Sequence, residues 1–208
     1  MYLKNDKRIL GEQAGLLWTW WRGDPLPTLP LLPTFAVTET ESSRHMATLM
    51  ATPEAEVTAM LQEGHRPYIA YLNAAPVAYG WSAINRAAFG EGRVKFRVPA
   101  TDRYLYCFVT LPSWRGMGIY PRLLQAILKR ESGGRSEVDS CSMPSPERFW
   151  IVHQLSNIPS ARGIARAGFH IACKMYFSST NTLVLVASSQ ESNRAHSGAE
   201  LLGLPLIN

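Results

Sequence analysis

Charged side chains are sparse in this sequence, 18% of 208 residues where roughly 25% is ordinary, and neither sign gathers into a run. With no polybasic arm or stripe, a formal net charge of +5 favours anionic ligands in general, and no nucleic-acid partner is expected. Cysteine is scarcer still. Cys107, Cys141 and Cys173 are odd in number and far apart, so they form neither a disulfide framework nor a metal-ligand spacing. A reducing, cytoplasmic location without a structural metal is the expectation. Cys107, inside an apolar stretch, reads as a packed small hydrophobe rather than a nucleophile. Nowhere do about 20 apolar residues run together, so no membrane-spanning helix and no membrane partner are expected. The apolar piece 14–21 is short, ends at Arg22 and Asp24 and lacks a small-residue cleavage signature, which argues against a signal peptide.

What is present suits one well-cored domain: 46% of residues are apolar. Residues 1–33 stand apart, with Trp18, Trp20 and Trp21 followed by Pro25, Pro27, Pro30 and Pro33. Proline at that density favours an extended connection. The segment reads as an N-terminal extension laid on the domain surface, its tryptophans pinning it to the core; a ligand platform or an oligomer contact is the alternative. From residue 34 the pattern predicts a short strand (35–38), one or two helices within 44–63 ended by Gly64, and a hairpin (67–72 and 76–84) turning at Asn73. A polar stretch (85–92) follows, and 93–98 continues the sheet. Residues 104–111, apolar on both faces, predict a central strand. Behind it Ile119, Leu123, Leu124, Ile127 and Leu128 mark an amphipathic helix. Residues 132–146 read as a mobile loop, 149–155 as a strand, 157–167 as a helix closed by Gly168, and 170–187 as a hairpin. Residues 189–208 read as a tail. The expected class is α/β (α+β), a mixed sheet flanked by four main helices over 34–188.

The most informative element is strand, then Arg115-Gly116-Met117-Gly118, then helix. Glycines at such a junction let backbone N–H groups converge, and the helix N-terminus adds partial positive charge, which together cradle phosphate oxygens. Arg115 adds a charge-assisted contact. A plain tight turn is the competing reading. No Gly-Lys-Ser/Thr follows, and the third glycine of a dinucleotide fingerprint is missing.

The segment Phe108-Val109-Thr110-Leu111-Pro112-Ser113-Trp114-Arg115-Gly116-Met117-Gly118-Ile119 resembles the cofactor-binding motif of the GNAT superfamily of N-acetyltransferases. A second GNAT hallmark, an asparagine with a small residue three later and Gly-Phe eleven later, is matched by Asn157, Ser160 and Gly168-Phe169. The resemblance covers residues 34–188 and implies a strongly twisted sheet and acetyl-CoA as co-substrate. It implies that residues Arg115, Gly116, Met117, Gly118, Ile119 and Tyr120 bind the CoA pyrophosphate through backbone amides. Phe108, Val109 and Thr110 would splay from the strand at 149–155 to meet pantetheine. The Phe108 amide would polarise the thioester carbonyl, and Asn157, with Ser160, would lie beside the pantetheine arm.

Two positions depart from the family pattern. The last small residue of the loop is Tyr120 here, so its ring must turn away from the pyrophosphate or the phosphate pose differs. The tyrosine that often protonates the departing thiolate is replaced by Ile164, and Tyr106 and Tyr176 are substitutes to consider. Attack by an amine calls for a proton acceptor. His153 and Asp102 are the candidate bases, against a hydrogen-bonded core histidine and a loop-capping aspartate. Arg122, Lys129, Arg162 and Arg166 either meet phosphates or form solvated helix faces. Trp81, Trp114 and Trp150 either line a pocket or pack the sheet. The implied activity is acetyl transfer to a primary amine of a small molecule or peptide. The alternatives are a non-catalytic CoA-binding protein, an acyltransferase of longer chains, or an interaction module with a plain turn. A homodimer is a family-level expectation.

Overall fold

A computed structural model describes residues 10–133, 144–187 and 192–207 of the chain. Most of the segment 132–146 expected to be mobile, and Cys141, lie outside the described residues.

Among the described residues eleven strands and five α-helices follow in chain order: β1 (Leu10–Trp21), β2 (Phe35–Glu39), α1 (Ser43–Met50), α2 (Glu54–Gln62), β3 (Arg66–Leu72) and β4 (Ala75–Ala83). Then come β5 (Asn85–Phe89), β6 (Val94–Val98), β7 (Asp102–Thr110), α3 (Ile119–Ser132), β8 (Arg148–Gln154) and α4 (Ile158–Ala167). The chain closes with β9 (His170–Ser178), β10 (Leu183–Ala187), α5 (Ser192–Leu202) and β11 (Leu206–Ile207). Nine strands make one mixed sheet in the order β11-β10-β9-β1-β8-β7-β4-β3-β2. Among the described strands only β7–β8 and β10–β11 run parallel.

Alternation along the strands separates two faces. Tyr68, Leu105, Phe149 and Ile151 point to the face covered by α3 and α4, against Leu123, Leu124, Ile127 and Ile164. On the opposite face α1 and α2 cover Ile69 and Trp81 through Met46 and Val57. Beside them α5 and the β5–β6 ribbon close over Tyr104, Trp150 and Cys173 through Phe96, Ala195 and Leu201.

The expectation of a surface extension at residues 1–33 is corrected for its strand-forming part. β1 is inserted between β8 and β9 and runs antiparallel to both, with Leu17 opposite Val152 on one side and Cys173 on the other. Leu17 is packed on one face and Trp18 and Trp20 on the other. A strand apolar on both faces belongs inside a sheet, and the prolines mark only the connection that follows. That connection straps the α3–α4 face: Leu26 and Leu32 pack on the core, and the Pro27 carbonyl accepts from Gln125 Nε2 at 2.8 Å.

Two further expectations change. Residues 93–98 do not continue the main sheet; β6 pairs with β5, within the stretch read as polar, in a separate two-stranded ribbon. The segment expected as a tail contains a fifth helix, α5, and β11, which pairs with β10. α5 is clamped by Arg194, whose guanidinium donates twice to the Asp24 carboxylate (2.8 and 2.9 Å) while lying 4.8 Å over the Trp21 ring. No helix among the described residues is long and apolar enough to cross a membrane.

Candidate functional site

The site begins where two parallel strands stop pairing. β7 and β8 are in register from Asp102–Arg148 to Leu105–Ile151, and then part. On its other side β7 follows β4 as far as Tyr106–Trp81 and resumes at Val109–Tyr79. Cys107 and Phe108 together oppose Gly80, which is a β-bulge. Cys107 takes a left-handed φ of +54° and is exposed, so it is not the packed small hydrophobe expected from its apolar surroundings. Neither ladder gives Phe108 a directly opposed residue, so the bulge sets it at the mouth of the opening.

From this opening a cleft of about 670 Å³ runs between α3 and α4. Phe108, Val109 and Thr110 form one side, the loop from Trp114 to Gly118 and the start of α3 form the second, and Asn157, Ser160 and Gly163 form the third. The loop is stitched to the strand end by Arg115 Nε, which donates to the Thr110 carbonyl at 3.2 Å. Gly116 (φ +81°) and Gly118 (φ +68°) hold the left-handed turns that bring the chain into α3. Gly118 is the N-cap and supplies no side-chain acceptor, so the first-turn amides of α3 stay available beside the cleft. Met117, in the same loop, is exposed. Ile119 is buried beneath.

The charge of the cleft is one-sided. Arg115, Arg162 and Arg166 line it, and Arg122 adjoins it, donating to the carbonyls of Gly118 (2.6 Å) and Pro30. Burial and then the neighbouring Arg166 guanidinium draw the Arg122 pKa down. Among the described residues no carboxylate pairs with any of these four arginines. Unneutralised guanidinium groups beside open helix amides fit a multiply charged phosphate ester. Lys129, also expected as a possible phosphate contact, lies off the cleft, and no group of three metal-ligating side chains gathers among the described residues.

The α4 wall explains the departure at Tyr120. Its ring turns toward α4, 5.4 Å from the Phe108 ring, with the hydroxyl 3.4 Å from Ser160 Oγ. A Cβ built on Gly163 would lie 2.3 Å from the Tyr120 ring, so glycine at 163 makes room for the tyrosine. Gly163→Val is therefore expected to displace Tyr120, costing about 1–3 kcal/mol of stability through overpacking and weakening ligand binding; thermal unfolding and a CoA titration would measure both. Asn157 caps α4, accepting from the Ser160 amide at 3.1 Å, while lining the cleft. Ile164, at the position where the resemblance led to the expectation of a tyrosine, is fully buried in the core.

Neither candidate base reaches the cleft. His153 is buried on β8 beside β1, its Nδ1 accepting from Trp18 Nε1 at 2.8 Å. Burial lowers its pKa and keeps it neutral. Asp102 is also buried and accepts from Trp150 Nε1 (2.8 Å) and Arg148 Nε (2.9 Å). It begins β7, eight residues before Thr110, or roughly 26 Å along the strand. Both have structural roles that composition alone did not reveal. Because the folded pKa of His153 lies below the unfolded value, the neutral form stabilises the fold above about pH 6.5 and that stability falls as pH drops. Urea midpoints measured at pH 7.5 and 5.5 should differ less for His153→Gln than for the parent chain.

Trp114 lines the cleft, whereas Trp81 and Trp150 are fully buried packing residues. Tyr176 lies on β9 against Gln13, 3.4 Å away. Tyr106 faces the side of the sheet opposite α3 and α4, where it meets His65, a residue that no local pattern singles out.

As a whole the chain superposes on solved acetyltransferases of the GNAT family. The chain has the GNAT fold. An acetyltransferase of the GNAT family from Colwellia psychrerythraea superposes with a TM-score of 0.52 at 15% identity, over 80% of this chain and 56% of that one. The chain thus spans little more than half the length of that protein. The aminoglycoside acetyltransferase AAC(6')-Ib, in complex with paromomycin and acetyl-CoA, gives 0.52 at 17% identity over 73% of this chain and 91% of that one. The same enzyme with coenzyme A and kanamycin gives 0.50 at 16%. No protein-family model and no curated protein sequence matches the chain.

Proposed function

We propose that this GNAT-fold chain is an N-acyltransferase that takes an acetyl group from acetyl-CoA and passes it to a primary amine in a ternary complex. One observation carries the reading: a single cleft joins the bulged strand end at Phe108 to a glycine-capped helix N-terminus lined by arginines. Acetyl-CoA has a matching layout, with a thioester at one end of an extended amide-containing arm and phosphates at the other. The phosphates would meet the amides of Gly116 to Tyr120 together with Arg115, Arg162 and Arg166. The pantetheine amides would pair with the open edge of β7 and with Asn157, and the Phe108 N–H would donate to the thioester oxygen as it gains charge. Glycines and arginines so placed are weak evidence singly; the continuity of the cleft from phosphate end to carbonyl end gives them weight. The likeness of fold to enzymes solved with acetyl-CoA or CoA and an aminoglycoside agrees with this reading.

The reaction forms a C–N bond at the acetyl carbon and breaks the C–S bond, whose electron pair leaves on sulfur. With Ile164 in the core, the thiolate would leave unprotonated or take its proton from water. The test is release of free CoA thiol from acetyl-CoA with a panel of kanamycin, spermidine and a lysine-containing peptide. Amine-dependent thiol release supports the proposal. Binding of acetyl-CoA without transfer to any acceptor or to water would favour a CoA-binding protein that lacks catalysis.

A further inference from the structure

The face of the sheet opposite the cleft carries a second polar arrangement at the same bulge. Tyr106 precedes Cys107 and Phe108 and packs among Trp81 (6.4 Å between rings), Tyr104 (6.2 Å) and His65 (5.4 Å). Its hydroxyl hydrogen-bonds His65 Nδ1, and the other imidazole nitrogen, Nε2, lies 3.1 Å from the Arg86 carbonyl. A carbonyl only accepts, so Nε2 carries the hydrogen and Nδ1 presents its lone pair to the Tyr106 O–H. Glu63 Oε2 stands 3.7 Å from Nε2. A neutral histidine thus holds a partly buried phenol by its proton, beside a carboxylate able to stabilise an imidazolium.

We infer that Tyr106 and His65 form the proton-accepting pair for the acceptor amine, with Tyr106 as the catalytic residue and His65 acting through it. This rests on the proposed function. The donor enters from the α3–α4 face and presents its carbonyl at the Phe108 amide. An acceptor then has the opposite face, where Tyr106 sits at the strand opening. As the amine nitrogen bonds to the carbonyl carbon, its proton passes to Tyr106 Oη and the phenol's own proton passes to His65 Nδ1. The C–S bond breaks with its electron pair going to sulfur. The imidazolium so formed is flanked by Glu63 and later returns its proton through Tyr106 to solvent or thiolate.

The titratable and charged groups around the pair are Glu63 at the end of α2, Tyr104 and Cys107 on β7, Tyr79 on β4, and Arg86 on β5, which contributes its carbonyl. Burial, as the largest influence, lowers the His65 pKa, against the opposing pull of Glu63. It therefore accepts a proton at neutral pH.

The test compares Tyr106→Phe and His65→Gln with the parent chain for acetyl-CoA binding and for acetyl transfer to kanamycin, spermidine and a lysine peptide. Expected are unchanged acetyl-CoA affinity, kcat lower by about 100-fold or more in Tyr106→Phe, and loss in His65→Gln of the acidic limb of the kcat/KM pH profile. A merely structural pair would shift stability or KM and leave that limb in place. If no amine is acetylated, hydrolysis of bound acetyl-CoA, with water as acceptor, carries the same comparison. Transfer by the parent chain that Tyr106→Phe leaves within a few-fold overturns the pair and spares the proposed function. Binding of acetyl-CoA with neither transfer nor hydrolysis overturns both.

Discussion

Replacing Glu131 with alanine is expected to destabilise the fold by about 3–5 kcal/mol, the cost of leaving a buried charge without its partner. Glu131 sits near the C-terminal end of α3 and is buried with Arg103, whose Nε donates to it at 2.7 Å. Its second oxygen accepts from the Tyr68 hydroxyl at 3.0 Å. Arg103 in turn donates to the Ala100 and Asp102 carbonyls. The cluster ties α3 to β3 and β7, and so fixes the axis along which the N-terminal amides of α3 meet the cleft. Urea unfolding would measure the loss. The double variant Arg103→Met with Glu131→Leu should recover most of it, because a well-packed apolar pair can match a buried ion pair. A loss below about 1 kcal/mol for Glu131→Ala, the range of exposed pairs, would mean that water reaches the cluster.

Removing residues 1–21 is expected to abolish cooperative folding. β1 supplies both neighbours' hydrogen-bonding edges in mid-sheet, and without it β8 and β9 would face each other across an empty strand position. Trp18→Ala is the milder probe, with a loss of about 3–5 kcal/mol, since it removes a core ring and also the donor to His153. Circular dichroism and thermal unfolding would report both. A truncated chain melting cooperatively near the parent temperature would contradict the inserted strand.

The two glycine-bearing motifs were legible because each carries its geometry locally. Gly118 needs a left-handed turn, Asn157 caps the helix that follows it, and Gly168 ends that helix. The tryptophan cluster misled for a physical reason: nearby prolines suggested a surface strap, whereas Leu17, Trp18 and Trp20 bury both faces of a strand whose partners lie more than 120 residues away. Pairing of that kind leaves no local trace. His153 and Asp102 looked available for chemistry because their partners, Trp18, Trp150 and Arg148, are visible only in three dimensions. His65 was missed for the same reason, being 41 residues from Tyr106. At Tyr120 a local pattern was broken, and the compensation lies at Gly163 on another helix.

The most direct test of the central claim is a calorimetric titration of acetyl-CoA into the parent protein and into Gly118→Glu. The new side chain would stand at a left-handed position where even a Cβ meets Arg122 Nη1 at 2.6 Å, and its carboxylate would oppose the phosphates. Micromolar binding by the parent, about −8 kcal/mol, is expected, and none detectable by a variant that still unfolds cooperatively. Equal binding by the two proteins would place the ligand elsewhere, and no binding by the parent would contradict the acyl-CoA site altogether.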